Sequence, residues 1–252
     1  MYKRFNLFIL LQAVFLLNGC AQATDRTLSP PSDTEWVDVQ IKNPSPYTKP
    51  FPLEVLYVSA TCKRELMSMR DGQHYEKMGY NPVKIPLQKH NDSDIWVAKI
   101  AKDGGGKCNW KLSEFNLGIE YVDATHLGKG LVPGTAVGAT IAFDDNATKN
   151  GLFKTVHGDI TLSPKYYPYI RVRKLNSTET SLSLLGEQNF ISLRGDATTK
   201  VSFIPSLDET KVTRYIGVEK KEPGAHAKII YPDGSVASEG TIIPDFNKIN
   251  AK

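Results

Sequence analysis

The chain has 252 residues, with 31 Lys and Arg against 27 Asp and Glu, for a formal net charge of +4 at pH 7. That length can bury a full core as one large domain or two of ordinary size. No basic run exceeds Lys220-Lys221 or the stretch Arg171, Arg173, Lys174, so nothing in the charge pattern points to nucleic acid.

In chain order, Lys3 and Arg4 come first, followed by an apolar run over residues 5–17 broken mainly by Asn6 and Gln12. The run is too short for a spanning helix, which needs about 20 apolar residues. It suits the apolar part of a secretory signal. It closes on Leu17-Asn18-Gly19-Cys20, which resembles the lipobox of bacterial lipoprotein precursors. An ordinary secretory signal followed by a chance cysteine is the alternative.

The resemblance implies removal of residues 1–19 as a signal peptide and attachment of diacylglycerol to the Cys20 thiol. Two or three acyl chains make such an anchor effectively stable. In these lipoproteins an aspartate after the cysteine favours the inner membrane. Ala21 therefore implies the outer membrane, lipid-anchored and facing the periplasm, with surface export as the other destination. Residues 20–34 read as a lipidated tether, polar and carrying Pro30-Pro31.

Beyond Cys20 only Cys62 and Cys108 remain. In an oxidising compartment such a pair is usually a disulfide, worth about 4 kcal/mol for a loop of this length in the chain-entropy model. A reactive thiol pair is the alternative. No further ligands at close spacing suggest a metal beside either cysteine.

From Trp36 onward the apolar residues alternate, as strands require. The pattern predicts strands over 36–42, 53–59, 94–100, 118–123, 136–143, 169–173, 181–185, 190–193, 201–204, 212–216 and 227–231. The segment from Cys62 to Arg70 is the one helical candidate, equally readable as a connecting turn. Tyr231-Pro-Asp-Gly-Ser235 predicts a hairpin over 226–242. Strands at this spacing with fifteen prolines indicate an all-β protein, a β-sandwich with one disulfide and little helix, its bulk drawn from Trp36, Trp96, Trp110 and tyrosines. The polar turn Asp144–Gly151 divides it into domains 35–148 and 149–252, unless 35–252 is one continuous β domain.

Catalytic motifs are weak. Gly234-Ser235 and Ser238-Glu239-Gly240 lie in the predicted hairpin rather than at a strand-to-helix elbow. The five histidines are dispersed, and His157-Gly158-Asp159 reads as a solvated turn. No catalytic residue, cofactor or metal is expected. Two partner-binding candidates stand out: the segment after Cys62, presenting Lys63, Arg64 and Arg70 with Met67 and Met69, and the tyrosine cluster Tyr166, Tyr167 and Tyr169.

The signal, Leu17-Asn18-Gly19-Cys20 and the cysteine-paired region after it look like the lipoproteins that act as immunity partners of type VI secretion lipase effectors. That resemblance implies a protein partner, a toxin such as a phospholipase, blocked by a loop or edge strand. A structural or assembly lipoprotein of an envelope or secretion complex is the second reading, and an envelope enzyme the third.

Overall fold

The computed structural model describes residues 24–149, 151–175 and 178–251. Cys20, the signal peptide and the first residues of the tether lie outside them.

The chain is all-β with one disulfide. The first ten strands are β1 Trp36–Lys42, β2 Thr48–Pro50, β3 Leu53–Met67, β4 His74–Ile85, β5 Gln88–Lys89, β6 Ile95–Ala101, β7 Asp103–Gly105, β8 Trp110–Tyr121, β9 Val132–Pro133 and β10 Val137–Ala142. The other ten are β11 Lys154–His157, β12 Ile160–Leu162, β13 Lys165–Arg173, β14 Glu179–Leu185, β15 Phe190–Asp196, β16 Lys200–Phe203, β17 Ser206–Leu207, β18 Thr213–Ile216, β19 Lys228–Ile230 and β20 Val236–Ala237. A short helix, α1 Phe246–Asn250, follows, with Asp245 accepting from the Asn247 amide as its cap.

The strands form three sheets. One has the order β12-β16-β1-β6-β5, a second β11-β15-β10-β8-β3-β4, and a third β20-β19-β18-β13-β14-β9. Alternation decides which side chains go inward. In β1, Val37, Val39 and Ile41 are buried while Trp36, Asp38 and Lys42 are exposed. These join Tyr57, Trp110, Phe115, Ile141 and Phe203 in one core shared by all three sheets. Each large apolar side chain there contributes about 1.5–3 kcal/mol by burial.

Residues on either side of the Asp144–Gly151 turn share every sheet. β1 lies parallel to β16, with Val39 opposite Val201, and β10 lies parallel to β15, with Ala139 opposite Ile191. β9 lies parallel to β14.

Of the three tryptophans expected to supply bulk, Trp110 is fully buried, whereas Trp36 is 44% exposed at the outer end of β1. The 62–70 segment is not helical. It forms the end of β3 and the turn into β4, and its exposure alternates residue by residue.

The part of the tether that is described does not hang free. The Trp110 indole donates to the Asp25 carbonyl at 3.1 Å and the Asn81 amide donates to the Arg26 carbonyl at 2.9 Å. The Ser29 amide donates to the Gly104 carbonyl at 2.8 Å, Ser29 bridges to Gly105, and Leu28 packs on the core. Gly105 makes this approach possible. It sits at φ +56°, and a Cβ there would lie 2.2 Å from the Ser29 carbonyl oxygen.

Candidate functional site

Cys62 and Cys108 are bonded, with Cα atoms 5.2 Å apart. The bond sits where β3 leaves its regular register. Ser59 faces Gly79, but the next pair is Arg64 with Lys77, so four β3 residues are taken up against one of β4. The Ser59 hydroxyl organises this bulge, accepting from the Thr61 and Cys62 amides at 3.1 and 2.8 Å and donating to the Cys108 carbonyl. Gly79 is required opposite it, because a Cβ there would meet the Cys62 carbonyl oxygen at 1.9 Å.

Beyond the bulge the two strands continue as a hairpin arm from Arg64 to Lys77, paired, among the described residues, only with each other. Gly72, at φ +69°, closes its tip, where the Ser68 amide donates to the Gln73 carbonyl at 2.8 Å. Hydrogen bonds from the Ser68 hydroxyl and the Gln73 amide hold the Asp71 carboxyl below its ordinary pKa.

Three of the partner-binding candidates belong to this arm or its base. Lys63 is exposed and pairs with Glu76 at 2.7 Å. Arg64 lies 4.0 Å over the Tyr80 ring. Arg70 is exposed at the tip. The methionines of the same segment are exposed, Met69 at 95% and Met67 at 56%, and the structure adds the partly exposed Tyr75 and Tyr80 as neighbours. Leu66 opposite Tyr75 and Met67 opposite His74 place apolar groups along the arm.

The tyrosine cluster is a correction. Tyr166, Tyr167 and Tyr169 are all buried and present no contact face. β13 has cover on both sides. Tyr166 points into the main core, with its ring 6.4 Å from Phe203. Tyr167 and Tyr169 point the other way, into a second cluster with Leu185, Ile229, Tyr231 and Ile249 of α1. The Tyr167 hydroxyl donates to the Asn250 side chain, and burial pushes the Tyr169 phenol up to about 12. The helix that covers this face was not anticipated from sequence.

Elsewhere, polar groups pair off structurally. His157 bonds to Asp196 on the surface, while Asp159 accepts from the Thr199 and Lys200 amides. The triplet thus splits between different partners. One half-buried polar cluster was missed: His126, stacked on Tyr47 at 3.6 Å, bonds Glu209 at 2.9 Å, and Glu209 also accepts from Ser45 at 3.2 Å. The carboxylate stands between serine and histidine and bonds both. Its role is to tie the loop at 208–210 to the turn at 125–127. Among the described residues, no group of three or more His, Cys, Asp or Glu is placed to hold a metal.

A cleft of about 890 Å³ opens beside the disulfide, bordered by Thr24, Thr61, Lys63, Glu76 and Lys107. A more apolar hollow of about 740 Å³ lies over β1 and β6, between Val39, Ile85, Pro86 and Val97, with the Asp38–Lys99 ion pair at its rim.

Comparison with family models, with curated proteins and with solved structures found no match.

Proposed function

We propose that this is a lipid-anchored envelope protein, acylated at Cys20, that binds and blocks a secreted toxin. The hairpin arm is its contact element. The observation that carries this reading is the arm itself: a disulfide-pinned two-stranded projection presenting Met67, Met69 and Tyr75 beside Arg64 and Arg70. Methionines adapt to an uneven partner surface, aromatic and Arg side chains supply most hot-spot energy, and flanking charge sets association rate and selectivity. A projection of this kind fits a cleft, and blocking a cleft is how an immunity protein stops an enzyme. In the narrower form of the proposal, the toxin is a type VI lipase effector, the partner is a phospholipase, and the setting is the periplasmic face of the outer membrane.

A second reading, a structural or assembly lipoprotein, draws support from a different feature. Among the described residues β4 is the last strand of its sheet, so its outer edge is open for pairing with a strand from another subunit.

The test is affinity purification of the full-length protein from its own envelope, followed by growth assays with the captured partner. A toxin that kills alone and is silenced by co-expression supports the blocking role. The double variant Met67→Asp, Met69→Asp changes only exposed side chains and should keep its thermal stability. It should weaken capture by about tenfold or more, about 1.4 kcal/mol or greater. Recovery of several envelope components, equally by both proteins, would support the assembly reading instead.

A further inference from the structure

The docked N-terminal segment and the arm meet at the same end of the molecule. Thr24 borders the cleft beside the disulfide together with Lys63 and Glu76, the ion pair at the base of the arm. The contacts of Asp25, Arg26 and Ser29 with Trp110, Asn81 and Gly104 hold it there. Thr24 lies four residues after Cys20. Even fully extended, that much chain spans about 14 Å at most. An acyl anchor on Cys20 therefore brings the lipid surface close to the base of the arm rather than leaving the body free on a long tether.

The chemistry of the arm suits that place. Its exposed side chains combine Met67, Met69, Tyr75 and Tyr80 with Lys63, Arg70 and Lys77 and with the carboxylates of Glu65, Asp71 and Glu76, and the exposed Lys107 lines the adjoining cleft. Tyrosine rings settle at the headgroup level of a bilayer, and Lys and Arg near anionic headgroups are drawn to them. Among the described residues the arm pairs with no other strand, and His74 to Lys77 are exposed on both of its faces.

We infer that the arm rests on the headgroups of the leaflet that holds the anchor, oriented there by the docked segment 24–34. The inference depends on acylation of Cys20, and it deepens the reading above: the arm rests on the headgroups while no partner is bound, and a toxin met at the lipid surface takes the same side chains from them.

The methionines make the test direct. Of the four, Met1 lies in the leader, so the mature chain carries only Met67, Met69 and Met78. All three fall on β3, the turn or β4. The full-length protein, expressed with methyl-labelled methionine, is placed in nanodiscs of phosphatidylethanolamine and phosphatidylglycerol carrying a nitroxide-headgroup lipid. The expected result is loss of the Met67 and Met69 methyl signals. If those signals persist on a chain whose mass includes diacylglycerol, the arm points away from the leaflet, and this inference fails while the anchor stands. If Cys20 carries no lipid and the chain does not co-purify with the discs, the anchor reading fails and takes the inference with it. A second variant, with a Gly-Ser linker of about 20 residues inserted after Ala21, leaves the folded body untouched and lengthens the reach. The methyl signals should return in that variant, and continued loss would overturn the orienting role given to the docked segment.

Discussion

Gly79 is glycine because the Cys62 carbonyl passes through the space a side chain would fill. Gly79→Ala must push the bulge and the disulfide away from β4, and we expect a loss of about 3 kcal/mol, read by urea unfolding with the disulfide intact. Glu114 shows a different constraint. Burial raises its carboxyl pKa, with Lys149 opposing and Asp144 adding to the shift. The folded chain thus holds this proton to higher pH than the unfolded chain, and stability falls as pH rises through that window. The cost persists at neutral pH. Glu114→Gln should raise Tm at neutral pH and leave it unchanged in acid below the carboxylate range. At this scale the cysteine pair was legible, since two thiols in an oxidised chain have one partner each. The tyrosines were not, because Tyr166 and Tyr167 are neighbours in sequence yet serve two separate cores.

The arm illustrates what an element needs beyond propensity. An isolated hairpin is marginal in water, and exposed polar pairs such as Lys63–Glu76 and Glu65–His74 add little. Order in the arm therefore depends on its base. Cys62→Ser should lower stability by up to about 4 kcal/mol. It should also speed amide exchange across residues 64–77 more than in the part of β3 that pairs with β8. β1 was readable to the residue, because its alternation marks a strand with one face inward. β4 was not read at all. His74 to Lys77 are exposed on both faces, so burial imposes no period on their sequence. The same lack of a buried face made 62–70 ambiguous between helix and turn.

At the scale of the whole molecule, the fold class followed from alternation and turn chemistry, whereas the arrangement of sheets did not. A polar turn at Asp144–Gly151 has the composition of a boundary, but composition carries no record of which strands pair across it. The parallel pairs β1–β16 and β10–β15 join residues far apart in sequence, and no local signal encodes them. A chain ending at residue 149 lacks β16 beside β1 and β15 beside β10. We expect that fragment to show neither cooperative unfolding nor dispersed amide resonances.

Those same pairings set a timetable for the protein's birth. Synthesis from the N-terminus delivers β1 early, yet one side of that strand stays open until Lys200–Phe203 arrive. Cys62 and Cys108 both emerge well before then, so oxidation can close the first covalent loop while the last strands are still in transit. Long-range strand pairing is slow and leaves unsatisfied edges waiting. A newly made chain of this protein therefore leaves β-edges open for a time, which makes it a natural client for chaperones that shield such edges.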